Sequence, residues 1–184
     1  MKKIKTPNSR QVNIIDVEAC CWMGHAPKNQ HKEIIEIGIT TVDFFTKEIV
    51  KSRSIIVKPE FSKISAFCTK LTTITPELVE TEGIPFKDAC DVLVNEFNSE
   101  KRMWFSWGNY DRISIEQESK LKKIKYPLSK THIDLSTLYA FKFGLKQIPS
   151  VTTALDRLGL EFEGVLHRGV SDAYNTARIL QKII

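Results

Sequence analysis

The stretch Val12-Asn13-Ile14-Ile15-Asp16-Val17-Glu18-Ala19 runs from apolar residues into two carboxylates that are separated by one residue. Side chains alternate between the two faces of a β-strand, so Asp16 and Glu18 are predicted to project together from the end of a buried strand. Two carboxylates at that spacing repel each other unless a cation or a proton lies between them. The pair alone fits equally well an ordinary strand end with solvated acids, so the rest of the chain has to distinguish the two interpretations.

Length and composition predict one soluble domain. The chain has 184 residues, of which 42% are hydrophobic and 27% charged, and its formal net charge of +5 is compatible with a polyanionic ligand without indicating one. Residues 1–10 are predicted to form a short polar tail, and residues 11–184 a single domain. No signal core follows the basic N-terminus, no apolar run approaches membrane-spanning length, and the four cysteines lack metal-ligand spacing. These features predict a cytoplasmic protein with no membrane partner.

Hydrophobic periodicity predicts a mixed sheet flanked by helices, which is an α/β arrangement. The predicted strands, of which the second and third form a hairpin, are residues 12–16, 34–45, 49–57, 103–107 and 132–135. The predicted helices are residues 62–70, 85–97, 110–124, 136–143, 151–158 and 170–184, and residues 71–76 are predicted to form a turn.

The predicted helix that begins at Tyr110 has two distinct features. One side of it is predicted to carry Ile113, Gln117, Leu121 and Ile124. Its end is basic because of four lysines: Lys120, Lys122, Lys123 and Lys125. A solvated helix face is the preferred interpretation of these lysines, and a nucleic-acid-binding patch is the alternative.

Further chemistry-bearing residues lie at the starts of two predicted helices. Asp111 follows a buried strand and a Gly-Asn turn, and Asp172 lies in the first turn of the last helix, five residues after His167. Either aspartate alone would be explained as a helix cap or dipole partner. Together with Asp16 and Glu18, however, they could gather four carboxylates at one edge of the sheet. Hard oxygen ligands suit Mg²⁺ or Mn²⁺, two such ions can promote in-line phosphoryl transfer, and a histidine is a fitting base for the attacking water.

These motifs, in this order, resemble those of the DEDDh family of 3′–5′ exonucleases, whose third motif is a His, four residues and an Asp. The resemblance rests on Asp16-Val17-Glu18, on Asp111 and on His167-Arg168-Gly169-Val170-Ser171-Asp172, and it covers nearly the whole chain. Further stretches are similar to the branch that contains the histone-mRNA 3′-exonucleases, also called enhancers of RNA interference, and bacterial KapD-like proteins. These stretches are residues 15–21, 33–38, 67–68, 71–75 and 106–111.

The resemblance implies an RNase H-like fold with a five-stranded mixed sheet. It also implies that two Mg²⁺ or Mn²⁺ ions are held by four carboxylates, those of Asp16, Glu18, Asp111 and Asp172. His167 would deprotonate the attacking water, and Glu18 and His167 would be the catalytic residues. The expected reaction is the release of nucleoside 5′-monophosphates from the 3′ ends of single-stranded RNA or DNA.

The same resemblance implies a set of substrate contacts. The backbone of Ala19 should meet the terminal sugar, Glu18 should contact its 3′-hydroxyl, and His167 should lie against the substrate as well. Phe67 and Tyr110 match positions where aromatic rings flank the terminal base. Stacking on a ring tolerates any base, although Phe67 is equally well interpreted as a core aromatic.

Several alternatives stay open at the level of sequence. RNA is favoured over DNA only by analogy with the branch, so a DNA-trimming or proofreading-type exonuclease is an alternative. A non-catalytic nucleic-acid-binding module would be expected to lack one of the carboxylates or His167, whereas all five positions are filled. A metal-dependent endonuclease on the same fold is a third possibility, and the spacing of His167 and Asp172 favours recognition of a strand end instead.

Overall fold

The computed structural model describes residues 10–184 and shows a five-stranded sheet with helices on both faces. The strands are β1 (Gln11–Ala19), β2 (Ile34–Asp43), β3 (Ile49–Ile56), β4 (Trp104–Ser106) and β5 (His132–Asp134). The helices of this part of the chain are α1 (Ala66–Thr72), α2 (Pro76–Glu82), α3 (Phe86–Phe97), α4 (Tyr110–Leu121), α5 (Leu135–Lys142), α6 (Val151–Arg157) and α7 (Gly169–Ile183). The predicted polar tail lies outside the described residues, apart from Arg10.

The sheet has the strand order β3-β2-β1-β4-β5, with β1 at its centre. Strands β3, β2 and β1 are antiparallel neighbours, whereas β4 and β5 run parallel to β1. The carboxyl ends of β1, β4 and β5 therefore lie at the same edge, which is where open α/β sheets place their sites. The predicted mixed sheet of five strands is confirmed.

The two faces of β1 pack against different helices. Ile15 and Val17 belong to a core cluster with α3 and with Ile115 of α4. Val12 and Ile14 point to the opposite face, where they form a second cluster with α5, α6 and α7. Because side chains alternate along a strand, Asp16 and Glu18 share the face of Ile14, and α7 covers that face.

The side of α4 on which the sequence places Ile113, Gln117, Leu121 and Ile124 is not the side that packs against the core. Ile113, Gln117 and Leu121 are exposed, and within the predicted set only Ile124 is partly buried. The helix instead buries a different set of residues, namely Asp111, Ile115, Glu118 and Ser119. The reason is that two of the buried residues are carboxylates, which the hydrophobic period does not register and which partners from other segments stabilise.

The prediction of a solvated face for the lysine cluster is wrong at Lys122. Its side chain is only 5% exposed, and its ammonium group lies 2.7 Å from Glu60, 3.3 Å from Glu33 and 3.4 Å from Glu118. The region predicted as a turn after α1 also differs, because Pro76 begins α2. Thr75 caps this helix with a hydroxyl that accepts the Leu78 N–H at 3.1 Å.

Within residues 10–184, none of the helices combines the length and the apolar character that a membrane crossing requires.

Candidate active site

The end of β1 presents the first two acids of the site. Asp16 lies opposite Gly38 of β2, and Glu18 lies opposite Glu36. Both carboxylates are partly buried on the face that α7 covers, as the alternation of β1 predicts. The register shifts between Glu18 and Ala19, so the regular pairing with β2 is interrupted directly after the second acid.

The first turn of α7 lies against the backbone of the sheet. A methyl group on Gly38 would lie only 1.9 Å from the carbonyl carbon of Gly169, and one on Gly169 would lie 3.0 Å from the Asp16 carbonyl oxygen. No side chain larger than hydrogen fits at Gly38 without moving α7. This close approach brings Asp172 to the sheet, and carboxylate oxygens of Asp16, Glu18 and Asp172 all lie within 4.8 Å of one another.

Asp111 reaches the site from α4, which follows β4. It is 4% exposed, and its Oδ1 accepts the backbone N–H of Val17 at 2.9 Å, between the two acids of β1. It does not belong to the group of three carboxylates that lie within 4.8 Å. The structure therefore brings together three of the four predicted ligands and holds the fourth directly beside β1 by a hydrogen bond.

Burial and mutual repulsion raise the pKa of every carboxyl group in this cluster. Burial raises the pKa of Asp16 well above its usual range, and the charges of Asp111, Asp172 and Glu18 raise it further. Burial is also the main reason that the pKa of Glu18 rises to about 8 and that of Asp111 to about 7. The pKa of Asp172 rises to about 6 for the same reason. Without a cation, these groups compete for protons instead of sharing negative charge.

The residues present fit a divalent cation. Asp172 Oδ2 is buried and has no hydrogen-bond partner among the described residues. A buried acceptor without a partner costs about 1–3 kcal/mol, and a bound cation would remove that cost. The donor set consists only of carboxylate oxygens, which suit hard ions such as Mg²⁺ and Mn²⁺. Asp16, Glu18 and Asp172, with Asp111 beside them, are therefore the residues that could hold such ions.

His167 lies in the loop that precedes α7, with its side chain exposed. Its backbone φ of 61° is in the left-handed region, which few residues other than glycine and asparagine adopt. The next residue, Arg168, donates to Glu36 through Nε at 2.9 Å and so fixes the end of this loop to β2. The role of His167 as a base stays a prediction.

Glu36 was not predicted as a functional residue. It is fully buried, and its carboxylate accepts from Arg168, from the Gly169 N–H at 2.9 Å and from the Ser54 hydroxyl at 2.6 Å. It thereby joins the start of α7 to the strand opposite Glu18. The available signal was a glutamate within the apolar run of β2, since a buried carboxylate needs a partner.

The predicted substrate contacts surround the end of β1. Cys68 of α1 lies with Sγ 3.6 Å from the Ala19 carbonyl oxygen, which places α1 next to the end of that strand. Phe67, the residue before it, is 39% exposed, so the alternative of a core aromatic does not hold. Tyr110 is 46% exposed, and the Lys32 ammonium lies 5.6 Å from its ring centre. The two rings are accessible, while their contacts with a base stay predictions.

The fold and the site together define a class of protein: an RNase H-like α/β domain with an acidic site at the carboxyl edge of its central strand. Residues 14–180 match the model of the family described as Exonuclease (RNase_T), and the chain belongs to that family. Enzymes of the DEDDh group are metal-dependent, in agreement with the acidic cluster.

Individual relatives support the same assignment. The chain is 28% identical over 213 residues to ERI1 exoribonuclease 2 of Xenopus laevis, an alignment that covers 98% of this chain and 30% of the relative. It is 29% identical over 180 residues to 3′-5′ exoribonuclease 1 of Homo sapiens, covering 93% of this chain and 51% of the relative. The chain thus spans 30% of the length of the first relative and about half of the length of the second.

A solved structure shows the same fold at similar identity. The nuclease domain of 3′hExo, a DEDDh family member bound to rAMP, superimposes with a TM-score of 0.84 at 27% identity. The match covers 95% of this chain and 91% of that domain. The predicted RNase H-like fold and the predicted resemblance to the DEDDh exonucleases and their histone-mRNA branch are confirmed.

Proposed function

We propose that this protein is a metal-dependent 3′–5′ exonuclease that releases nucleoside 5′-monophosphates from single-stranded RNA. The observation that carries the proposal is the group of three carboxylates within 4.8 Å, with Asp111 beside it. Among the described residues, no lysine or arginine forms an ion pair with any of these four acids. The positive charge that the cluster requires must therefore come from outside the protein.

Asp16, Glu18, Asp111 and Asp172 would together hold two ions, Mg²⁺ or Mn²⁺. When bound, these ions supply the positive charge that favours ionisation of a water molecule and stabilises charge on the departing oxygen. These carboxylates would place the positive charge next to the terminal phosphodiester. The close approach of Gly169 to Gly38 of β2 and to the Asp16 carbonyl oxygen of β1 fixes α7 against both strands, so the spacing between Asp172 and the acids of β1 does not depend on a mobile loop.

His167 takes the proton of the attacking water. Its exposed position before α7 lets the imidazole face the substrate, while Arg168 and Glu36 hold the following backbone. The water oxygen forms a bond to phosphorus, and the bond from phosphorus to the 3′-oxygen of the shortened strand breaks. That 3′-oxygen then takes up a proton, and the phosphate stays on the 5′ carbon of the released nucleotide.

Ala19, Phe67 and Tyr110 receive the terminal nucleotide, and Glu18 contacts its 3′-hydroxyl. Two accessible rings can stack on any base, as an enzyme that shortens strands of mixed sequence requires. The preference for RNA is supported by the exoribonuclease relatives and by the rAMP in the neighbouring structure. The cytoplasmic location of the protein stays a prediction.

The decisive test is to incubate the protein with 5′-labelled RNA and DNA oligomers of one sequence, with Mg²⁺, Mn²⁺ or EDTA. The proposal expects a ladder that shortens from the 3′ end, faster on RNA, and that EDTA abolishes. A faster reaction on DNA would favour the DNA-trimming alternative, and a single internal cut would favour an endonuclease. A retained affinity for the oligomers without any cleavage would indicate a non-catalytic binding module.

The role of His167 is tested by His167→Ala, with His25→Ala as a matched control in another exposed loop. Loss of a general base costs about 10²–10⁴-fold in rate, so kcat should fall by that factor in the first variant only. Thermal unfolding should be unchanged because the side chain is exposed. Near-normal turnover of His167→Ala would show that another group accepts the proton.

A further inference from the structure

A second charged feature lies outside the acidic site. A cavity of about 540 Å³ runs along α4 and is closed by the segment that leads to the edge strand β5. Four cationic side chains line it: Arg112, Lys120, Lys123 and Lys130. Glu116 is the one acid among the lining residues, and it pairs with Arg112 at 3.2 Å. The cavity therefore has a surplus of three positive charges.

The lysines at the end of α4 differ in the contacts that they make. Lys122 points inward to three glutamates, and Lys125 pairs with Glu100 at 2.7 Å. Lys120, Lys123 and Lys130, by contrast, are exposed and form no ion pair with any carboxylate of residues 10–184. Like charges that converge on a cavity without counter-charge favour a polyanionic ligand.

The cavity wall also contains a polar group that the protein does not use. Ser119 lines the cavity, is 3% exposed, and its Oγ has no hydrogen-bond partner among the described residues. Buried hydroxyl groups in folded proteins are normally paired, directly or through water. A ligand oxygen or an ordered water molecule in this cavity would provide the partner.

The cavity and the acidic site lie on the same helix. Arg112 follows Asp111 directly, and Lys120 lies eight residues further along α4, which at 1.5 Å per residue is about 12 Å. A stacked strand rises by about 3.4 Å per nucleotide along its axis, so a length of about 12 Å along α4 corresponds to about three to four nucleotides of such a strand. A strand whose 3′ end lies beside Asp111 could therefore follow α4 into the cavity.

Hydrogen bonds also connect the cavity wall that contains His132 to the turn before α4. His132 lines the cavity, and its Nε2 lies 2.8 Å from the Ser106 hydroxyl. That hydroxyl donates to the Gly108 carbonyl oxygen at 2.7 Å, in the turn that leads into α4. The hydrogen bond between His132 and Ser106 joins the imidazole to the hydroxyl whichever of the two atoms carries the hydrogen. The wall of the cavity is thus fixed to the turn that positions Asp111.

We propose that this cavity binds the sugar-phosphate backbone of the nucleic-acid substrate, about three to four nucleotides before the 3′ end that is cut. The inference rests on the proposed function, since it concerns the same strand. Lys120, Lys123 and Lys130 contact phosphates, and their flexible point charges read no base sequence. The cavity therefore raises the affinity for strands long enough to reach it and leaves the shortest substrates unaffected.

The test compares Lys120→Gln/Lys130→Gln with the control Lys101→Gln/Lys182→Gln, which removes the same charge at two exposed lysines outside the cavity. Binding of an RNA of about 20 nucleotides is measured by fluorescence anisotropy in EDTA across a series of KCl concentrations. In parallel, kcat and KM are measured with Mg²⁺ for that RNA and for a trinucleotide.

The cavity variant should bind the long RNA at least about fivefold more weakly than the control does, with a salt slope that is smaller by about 1–2. Its KM should rise by a similar factor on the long RNA and stay unchanged on the trinucleotide. Equal binding by the two double variants would overturn the proposal, as would an equal rise in KM on both substrates. If the unmodified protein cleaves neither substrate, the proposed function fails, while the binding series in EDTA still decides the role of the cavity.

Discussion

Two acidic clusters lie at different points along α4, and they differ in how their charge is balanced. The acidic site gathers Asp16, Glu18 and Asp172 without a lysine or arginine partner among the described residues. The second cluster, Glu33, Glu60 and Glu118, surrounds the ammonium group of Lys122. Helix α4 contributes to both, with Asp111 at its start and Glu118 near its end.

The second cluster shows how the fold treats acids that have a structural role. Glu33 is fully buried, yet its carboxylate accepts the N–H groups of Glu60, Phe61 and Ser62 at 2.6–2.9 Å. Burial alone would raise its pKa, but these three donors and Lys122 lower it overall. Burial would likewise lower the pKa of Lys122, and the surrounding glutamates raise it instead.

The difference between the clusters indicates which of them has a binding role. A buried carboxylate with internal donors needs nothing further from solution, whereas Asp172 Oδ2 lacks a partner in the described structure. The raised pKa values at the acidic site reflect the free energy that is needed to keep its carboxylates ionised without a cation. Removal of a carboxylate should therefore stabilise the metal-free acidic site, and removal of the Lys122 ammonium group should destabilise the second cluster.

The largest expected effect is that of Asp16→Asn on activity. Loss of a metal-binding carboxylate removes several kcal/mol of transition-state stabilisation, so kcat/KM should fall by about 10³-fold. The same change relieves repulsion between buried acids, so the metal-free variant should unfold at a higher temperature than the unmodified protein. The two measurements are the rate of RNA shortening with Mg²⁺ and thermal unfolding in EDTA.

A fall in both activity and stability would contradict this explanation, because it would mean that Asp16 has a structural role like that of Glu33. Glu33→Gln is the matched control. It weakens bonds to three backbone N–H groups and to Lys122, so it should lower the unfolding temperature in EDTA.

The next effect concerns the balanced cluster. Lys122→Met removes the cation that three glutamates share, and breaking a buried ion pair from one side costs about 3–5 kcal/mol. Chemical denaturation should show this loss, and Mg²⁺ should not restore it. Lys125→Met, which removes a cation from the exposed pair with Glu100, should cost about 0–1 kcal/mol. Similar losses of unfolding free energy in the two variants would show that the buried ion pairs of Lys122 contribute no more to stability than the exposed pair of Lys125.

A smaller effect is the dependence of stability on pH. The native protein retains protons on Glu18 up to about pH 8 and on Asp111 up to about pH 7, whereas an unfolded chain loses them near pH 4–5. The native state therefore binds more protons in this range, and the stability of the metal-free protein should fall as the pH rises from about 5 to about 8. Thermal unfolding in EDTA measures this fall, and saturating Mg²⁺ should reduce it.

Glu118 contributes to the same slope, because burial raises its pKa to about 7 despite the nearby Lys122. The variant Glu118→Gln separates the two contributions. The part of the slope that Mg²⁺ removes should persist in Glu118→Gln and be strongly reduced in Asp16→Asn. A slope that Mg²⁺ leaves unchanged would show that the acidic site does not bind the ion.

The sequence predicts well those features that depend on local pattern. The alternation in β1 was sufficient to place Asp16 and Glu18 on one face, and the hydrophobic periodicity of residues 85–97 was sufficient to predict helix α3. Motif order was sufficient to indicate the family, because the motif with Asp16 lies at the end of β1 and the motifs with Asp111 and Asp172 lie at the starts of α4 and α7. These predictions require only the periods of strands and helices and the direction of parallel strands.

Other features depend on partners that are distant in sequence. The buried side of α4 was not predicted because it includes Asp111, which is buried against the Val17 N–H in a strand 94 residues away, and hydrophobic periodicity does not include such pairs. Glu36 was overlooked for the same reason, since its partner Arg168 lies 132 residues away. Helix α2 was missed because Pro76 was interpreted as the end of a turn, whereas it is the first residue of the helix.

The contact between Gly38 and Gly169 sets the gap across which α7 faces the sheet. A single hydrogen atom on each residue determines this gap, and no adjustable side chain fills it. The width of the ion site is therefore a property of the backbone alone, and rotamer changes elsewhere leave it constant. An enzyme that meets every base in turn would in this way present the same reaction geometry at each step along a strand.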